Sequence, residues 1–238
     1  MIADGPRGLF IKTPAPQIVE IIALAGPDFA VIDAEHAPFD RVTLDLMLLA
    51  GRAAGLPLLV RVADARASSI GGALDLGAAG VMVPHIASVE MARAAVANAR
   101  YRGGTRGFSS APRHAGYGTH TMRDIIDAAD RAQVLVQIEH PDAAAQAGAI
   151  LAQDGVDGIV VGRADLAIAM GESDTASPRV EEVVLAIFSA VRASGKIKGV
   201  VVSSEAERRR YAQLGANWYI MGNDQSLLRS AARQLLSA

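Results

Sequence analysis

The sequence predicts an α/β protein of the (β/α)8 barrel type, a single domain that spans residues 1–238. Eight apolar runs of strand length recur along the chain, with helical patterns between them. Hydrophobic residues make up 51% of the chain and aromatic residues only 4%, which favours the Ala, Val, Leu and Ile of buried parallel strands. The length of 238 residues is close to the roughly 250 residues typical of this barrel. An open doubly wound sheet is the alternative.

Strand and helix patterns alternate from one end of the chain to the other. The predicted strands are Leu9–Ile11, Phe29–Asp33, Leu58–Val62, Gly80–Pro84, Val134–Glu139, Gly158–Gly162, Lys198–Val202 and Trp218–Met221. Pro14 and Pro16 open the first predicted helix, which runs toward Leu24 and is closed by Gly26, and Ser88 caps the fourth helix. The longest irregular stretch, residues 101–121, follows the fourth helix, so we expect it to begin on the face opposite the active site.

Charge and composition exclude several classes of protein. A net charge of −2 and a pI of about 6.2 give no electrostatic reason to expect nucleic acid or an anionic membrane surface as a partner. The absence of cysteine excludes disulfides, thiolate metal sites and cysteine nucleophiles. Because we find neither a leader pattern nor an apolar run long enough to span a bilayer, we expect a cytoplasmic protein.

Ionisable side chains follow three of the predicted strands. The second strand ends at Asp33, Glu35 and His36, the fifth ends at Glu139, and Asp165 follows the sixth. Side chains at the C-terminal ends of barrel strands form the active face. The sequence therefore predicts one site built from distant parts of the chain.

Glu139 and Asp165 form the strongest pair at that site. Two carboxylates from adjacent strands, with the neutral Gln137 on the same face as Glu139, would supply the oxygen ligands that Mg²⁺ or Mn²⁺ prefers. The alternative is structural: Asp165 caps the helix that follows it, and Glu139 pairs with an arginine at the rim.

His36 and Asp33 form a candidate acid–base pair, because a carboxylate that accepts an imidazole N–H fixes the tautomer of the ring. The alternative is a histidine at the rim beside a solvated aspartate. Arg61, near the end of the third strand, could bind a carboxylate or stabilise an enolate oxygen. Otherwise it is a structural partner for Glu35 or Glu139.

Two further features bear on the chemistry. Gly162–Leu166 is a strand–turn–helix junction, whose free N–H groups could bind an anion or could belong to an ordinary turn. Of the three lysines, only Lys12 is predicted to lie at the active face, so imine chemistry has little support.

Six segments carry a resemblance to a known family. They are Asp33–Pro38, Val60–Val62, Asp75–Pro84, Arg106–Ser109, Val136–Glu139 and Gly155–Leu166. Together, and in this order, they resemble the HpcH/HpaI aldolase family of metal-dependent pyruvate aldolases, typified by 4-hydroxy-2-oxoheptanedioate aldolase. The resemblance extends from about residue 8 to the C-terminus.

The resemblance implies a barrel enzyme that cleaves a 4-hydroxy-2-oxo acid to pyruvate and an aldehyde through a metal-stabilised enolate. It implies Mg²⁺ or Mn²⁺ as the cofactor, with Co²⁺ as a further candidate. It also implies a homo-oligomer, commonly a hexamer in which neighbours exchange helices.

The same resemblance assigns roles to residues of the metal centre. Glu139 and Asp165 correspond to the metal ligands, and Gln137 corresponds to the polar group that contacts the metal–pyruvate site. The turn around Gly162 and Ala164, which leads into Asp165, corresponds to the one that holds the pyruvate carboxylate.

Three other residues correspond to the catalytic groups. His36 matches the histidine that acts as acid or base, and Asp33 matches its partner. Arg61 matches the arginine that stabilises the enolate oxygen.

Two segments depart from the family pattern. Arg163 stands where a proline is expected, so we expect it to alter the pocket mouth or to bind an anionic end of the substrate. Residues 109–117 follow the pattern only in part. Two alternatives stay open: a lyase of the citrate lyase β or malyl-CoA type, and a barrel that binds an oxo acid without turnover.

Overall fold

The computed structural model describes residues 5–237 and confirms the (β/α)8 barrel. Eight parallel strands pair in chain order, and β8 returns to pair with β1. The strands are β1 (Arg7–Ile11), β2 (Phe29–Asp33), β3 (Leu58–Arg61), β4 (Gly80–Val83), β5 (Gln133–Ile138), β6 (Gly158–Val161), β7 (Ile197–Val201) and β8 (Trp218–Asn223). Each strand overlaps its predicted position, and this closure excludes the open doubly wound sheet.

Eleven α-helices of the described chain surround the strands. They are α1 (Pro16–Leu24), α2 (Arg41–Ala54), α3 (Ala67–Asp75), α4 (Val89–Ala99), α5 (Met122–Ala129), α6 (Pro141–Ala145), α7 (Ala147–Leu151), α8 (Arg163–Ala169), α9 (Pro178–Val191), α10 (Glu205–Gln213) and α11 (Asp224–Leu236). The side chain of Ser88 accepts a hydrogen bond from the N–H of Met91, as the cap at the start of α4 predicts. No helix within residues 5–237 is long and apolar enough to cross a membrane.

The inward side chains change from apolar to polar along the strands. At the lower end, the rings of Phe29 and Trp218 stack with their centroids 3.9 Å apart. Gly8 makes room for this stack, because a Cβ there would lie 2.4 Å from the Phe29 ring. Successive inward residues lie two apart, so Phe29 is followed by Val31 and then by Asp33. Alternation therefore aims charged groups into the upper end of a closed apolar barrel.

The stretch at residues 101–121 is fixed to the barrel by ion pairs. Arg106 pairs with Asp75 at the end of α3 at 2.8 Å, and Arg113 pairs with Asp45 on α2 at 2.8 Å. It contains a short 3₁₀ segment, Arg113–Gly118. The stretch is therefore an anchored connection between α4 and α5.

The last helix, α11, lies apart from the rest of the outer layer. Its principal contacts are with β1 and β8, and Asp224 at its start is its one buried residue among those described. Asp224 accepts hydrogen bonds from the N–H groups of Lys12 and Thr13, which fix the loop after β1. Four leucines along the helix are exposed: Leu227, Leu228, Leu235 and Leu236. An amphipathic helix thus leaves its apolar face uncovered within this chain.

Candidate active site

The upper mouth of the barrel holds a cavity of about 320 Å³. Six of the predicted site residues line it: His36, Arg61, Gln137, Gly162, Ala164 and Asp165. Asp33 and Glu139 are buried and contact lining residues, as Asp33 does with Arg61 and Glu139 with Gln137. A groove between α2 and α3 has a volume of about 250 Å³, but mostly apolar side chains line it. The polar side chains that converge at the barrel mouth therefore identify it as the candidate active site.

Asp33 is held by two cations at the top of β2. Its Oδ1 accepts from Nε of Arg61 at 2.9 Å, and its Oδ2 accepts from Nη2 at 2.7 Å. Nζ of Lys12 lies 2.9 Å from Oδ2. Burial alone would raise the pKa of Asp33, but the hydrogen bonds and charge of Arg61, together with Lys12, lower it to about 2. Asp33 is therefore ionised and forms an ion pair with Arg61.

His36 meets a different carboxylate from the one the sequence predicts. Its backbone N–H, rather than its imidazole, donates to Oδ1 of Asp33 at 3.2 Å. The imidazole Nε2 lies 3.6 Å from Oε2 of Glu35, which is also 3.2 Å from Nε of Arg61. The contact with Glu35 is an ion-pair distance and is too long for a hydrogen bond. The side-chain pair of His36 with Asp33 is thus absent, because β2 aims Asp33 inward at Arg61.

Arg61 joins two carboxylates, since its guanidinium contacts both Asp33 and Glu35 and lies over the ring of Phe10. The structural pairing of Arg61 with Glu35, one of the alternatives predicted from the sequence, is therefore present. The guanidinium is planar and has several N–H donors, so it can contact both carboxylates at the same time. Because Arg61 also lines the cavity, a structural and a chemical role are compatible.

Glu139 is a buried carboxylate that forms no ion pair with a Lys or Arg side chain of residues 5–237. Its Oε2 accepts from Nε2 of Gln137 at 3.0 Å, and its Oε1 accepts from the backbone N–H of His85 at 2.6 Å. Burial raises the pKa of Glu139, and the nearby charges of Asp165 and Glu35 raise it further. The predicted pairing with a rim arginine is not among the contacts of Glu139 described.

The surroundings of Glu139 fit a small cation with oxygen ligands. The buried Oε1 of Gln137 has no hydrogen-bond partner among the described residues. A Cβ at Gly162 would lie 2.9 Å from Oε2 of Glu139, so glycine keeps this approach open. Within residues 5–237, no three His, Cys, Asp or Glu side chains are close enough to enclose an ion alone. A cation here would thus take Glu139 and Asp165 and leave positions for substrate and water.

Asp165 lies in the first turn of α8, where Gly162 is the N-terminal cap. The structural alternative, in which Asp165 caps the following helix, is therefore wrong: the helix begins two residues earlier, at Arg163. The turn from Gly162 to Asp165 lines the cavity, as predicted.

Arg163 borders the cavity, but its guanidinium is engaged by the outer layer. Its guanidinium donates to the Tyr211 hydroxyl at 3.1 Å, to the carbonyl of Val201 at 3.1 Å and to Glu207 at 3.0 Å. These three contacts occupy the group that we expected to bind an anionic end of the substrate. Arg163 instead ties the start of α8 to β7 and α10.

The sequence assigned no role to His85, which contacts two carboxylates at the mouth. Its Nδ1 lies 3.0 Å from Oε1 of Glu139, and its Nε2 lies 2.8 Å from Oε1 of Glu35. The signal that could have identified it is its place directly after Pro84, at the C-terminal end of the fourth predicted strand.

Comparison with known proteins agrees with this geometry. The sequence model of the HpcH/HpaI aldolase/citrate lyase family matches residues 7–231. The chain belongs to this family. It is 37% identical to the 5-keto-4-deoxy-D-glucarate aldolase of Klebsiella pneumoniae subsp. pneumoniae over 97% of this chain and 91% of that protein. The protein is therefore an enzyme of the aldolase class, a carbon–carbon lyase.

Solved structures of HpcH/HpaI aldolase/citrate lyase proteins share the fold. A family member from Burkholderia cenocepacia J2315 has a TM-score of 0.93 and 32% identity, and the match covers 98% of this chain and 94% of that one. The citrate synthase SbnG has a TM-score of 0.88 and 29% identity, with 98% and 92% of the two chains covered. A citrate synthase and a protein of the HpcH/HpaI aldolase/citrate lyase family thus share this barrel.

Proposed function

We propose that the protein is a divalent-metal-dependent aldolase that cleaves, or forms, 4-hydroxy-2-oxo acids, with pyruvate and an aldehyde as products. The observation that carries the proposal is Glu139, a buried carboxylate with a raised pKa beside Asp165 and the unpartnered Oε1 of Gln137. A cation relieves both the repulsion between the carboxylates and the unsatisfied amide oxygen. The oxygen-rich set favours Mg²⁺ or Mn²⁺, with Co²⁺ as a further candidate.

Glu139 and Asp165 would hold the ion, and Gln137 would contact it or the substrate beside it. When bound, the ion supplies positive charge next to the 2-oxo group, where negative charge develops as the carbon–carbon bond breaks. The turn of Gly162 and Ala164 borders the same cavity and would receive the substrate carboxylate on its N–H groups.

Arg61 would stabilise the developing enolate oxygen. Its guanidinium lines the cavity and is kept in place by Asp33 and Glu35. A fixed charge in a buried site needs no reorganisation during the reaction. Asp33 thus acts as a positioning residue for Arg61 rather than as the direct partner of the His36 imidazole.

His36 would move the proton. In cleavage it accepts the proton of the C4 hydroxyl, the C3–C4 bond breaks, and its electron pair becomes the C2–C3 double bond of the enolate. Protonation at C3 then gives pyruvate. The imidazole is half-exposed at the cavity wall, where a substrate hydroxyl can reach it.

The Klebsiella relative supports the choice of substrate class. Because that relative is a 5-keto-4-deoxy-D-glucarate aldolase, 5-keto-4-deoxy-D-glucarate is the first compound to test as a substrate. Pyruvate with a panel of aldehydes tests the reverse reaction.

Exchange of the pyruvate methyl protons with deuterated water, followed by NMR, tests enolate formation without knowledge of the aldehyde. We expect exchange that stops with chelator and returns with Mg²⁺ or Mn²⁺, and no exchange in Glu139→Ala or Asp165→Ala. Circular dichroism of both variants confirms that they remain folded. Full exchange in either variant contradicts the metal assignment, and borohydride-trapped exchange that resists chelator would implicate Lys12.

The proposal includes a homo-oligomer, for which the family resemblance implies a hexamer. The exposed leucines of α11 and the exposed Ile21 and Leu24 of α1 support association between chains.

A further inference from the structure

We propose that His85 is a positioning residue of the metal centre: it fixes Glu139 for the ion and connects it to Glu35 and Arg61. The inference rests on the proposed function, because it takes Glu139 as a metal ligand. Neither the family match nor the names of the relatives assigns a role to this residue.

The two oxygens of Glu139 are held from opposite sides. His85, which follows β4, contacts Oε1 with both its backbone N–H, at 2.6 Å, and its Nδ1, at 3.0 Å. Gln137 contacts Oε2, and Gly162 after β6 comes close to the same oxygen. Because β5 lies between β4 and β6, His85 leaves Oε2 as the oxygen on the Asp165 side.

The other ring nitrogen continues the connection. Nε2 of His85 lies 2.8 Å from Oε1 of Glu35, and Oε2 of Glu35 lies 3.2 Å from Nε of Arg61. The proposed metal ligand and the proposed enolate stabiliser thus share a path of three contacts. Since both nitrogens of the ring are already engaged by carboxylates, His85 positions a ligand rather than serving as one.

The backbone of His85 is left-handed, with φ of 56°. Among residues 5–237, only His85 and Tyr117 combine a positive φ with a side chain. Such a conformation is unfavourable for a residue with a side chain and persists where the surroundings enforce it. Here it directs the N–H and Nδ1 of one residue to the same carboxylate oxygen.

Core packing does not hold the imidazole of His85 in place. The His85 side chain is 64% exposed, whereas Glu35 and Glu139 are 8% and 4% exposed. The imidazole therefore contacts the two buried carboxylates from the solvent side of the mouth.

Binding of Mn²⁺, measured by electron paramagnetic resonance of the free ion, tests the inference without turnover. We expect His85→Gly to weaken Mn²⁺ binding by about tenfold or more, the usual effect of losing a residue that orients a metal ligand. Glycine accepts the left-handed backbone and keeps the N–H, so the variant removes the imidazole alone. His85→Asn, which also tolerates this backbone and retains a side-chain donor, should recover part of the affinity.

His140→Asn is the matched control. His140 follows Glu139 directly and is half-exposed, and its Nδ1 accepts from the N–H of Asp142 as the cap of α6, a role that asparagine can fill. We expect unchanged Mn²⁺ binding in this variant. A second control, Glu139→Ala, should abolish binding.

The outcomes separate the two proposals. If the wild-type protein binds no Mn²⁺, the proposed function fails and the inference fails with it. If the wild type binds Mn²⁺, Glu139→Ala does not, and folded His85→Gly binds as tightly as wild type, the proposed function stands and the role of His85 is wrong.

Discussion

At the scale of single residues, the site depends on how one arginine is held. Arg61 is buried and meets Asp33 through two parallel hydrogen bonds while Nε also lies near Glu35. A lysine carries the same charge but lacks the planar fork, so it cannot keep both carboxylates and the cavity contact together.

We therefore expect Arg61→Lys to lower kcat for oxo-acid cleavage by about 100-fold or more, the usual scale for losing a preorganised stabiliser of negative charge. Pyruvate release, followed through a lactate dehydrogenase assay, measures this loss. Arg66→Lys is a matched control, because Arg66 is an exposed partner of Asp64 and is not among the residues that line the cavity. Equal kcat in the Arg61 variant and the control would contradict the role of Arg61.

Residue-level prediction from sequence succeeded where it used strand alternation. The period of two brings Gln137 and Glu139 to one side of β5, and the structure confirms their contact. The role of His85 was not predicted, because it depends on a left-handed backbone and on contacts with Glu35 and Glu139. Both residues are 50 or more positions away in sequence. Neither feature leaves a periodic signal.

At the scale of elements, the junction of α8 with its neighbours positions the cavity wall. Arg163 links the turn at Gly162 to α10 through Tyr211 and Glu207. Its side chain is 11% exposed, so these bonds are partly shielded from water.

Replacement of Arg163 by methionine should loosen this turn while leaving the other charged groups of the mouth in place. We expect KM for the oxo acid to rise by about three- to tenfold with kcat changed less, because the turn that would receive the substrate carboxylate loses hydrogen bonds worth about 1 kcal/mol that hold it in place. Steady-state kinetics of Arg163→Met and Arg163→Lys measure the split, and lysine should recover part of KM. A fall in kcat alone would place Arg163 in the chemical step instead.

The uncovered face of α11 leads to a prediction about assembly. Replacing Leu228 and Leu235 by glutamate should shift the protein toward monomer, since buried charge at an apolar interface is strongly unfavourable. Light scattering coupled to size-exclusion chromatography measures the mass. Exposed Arg229 on the same helix offers a control, because Arg229→Lys preserves its charge. A monomeric wild type would contradict the proposed homo-oligomer.

Sequence patterns predicted the existence of the strands but not the placement of α11. The amphipathic pattern of α11 indicates that one face is apolar, yet it contains no information about which surface covers that face. Which elements α11 contacts is decided by tertiary packing alone.

At the scale of the whole molecule, the site has a cost in stability. Asp33 is stabilised in its charged form, whereas burial raises the pKa of Glu139. A carboxyl whose folded pKa lies above its unfolded value destabilises the fold once it ionises. The metal-free protein should therefore lose stability as pH rises from the ordinary value of 4.5 through the folded pKa of Glu139.

Glu139→Gln removes this charge and keeps an oxygen that can accept from the His85 N–H. We expect the variant to unfold about 2–4 °C higher than wild type at pH 7 with chelator present, the shift that about 1 kcal/mol produces at this size. The difference should disappear as pH falls below about 4.5, because the Glu139 carboxyl of the wild type is then protonated in both the folded and the unfolded protein.

Addition of Mn²⁺ should reverse the order, because an ion that binds only the folded wild type stabilises it by mass action. Thermal unfolding with and without chelator measures both effects. A variant that melts below wild type in chelator at pH 7 would contradict the argument from Glu139.

Alternating strands and helices indicated either a barrel or an open sheet, and the pairing of β1 with β8 decided between them. That pairing joins strands at opposite ends of the described chain, so no local pattern could report it. The register there shifts between Gly8 and Phe10, which marks the irregular seam of the barrel.

The pairing of β1 with β8 also affects the order in which the barrel can assemble during synthesis. During synthesis, one edge of β1 stays without its partner until about 200 further residues have been added, which takes about 10–40 s at ordinary translation rates. The barrel wall can assemble progressively from β1 onward during that time, but the ring cannot close. Any part of the wall that forms before β8 is made therefore has two unpaired strand edges, the kind of surface at which chains can pair with one another and aggregate.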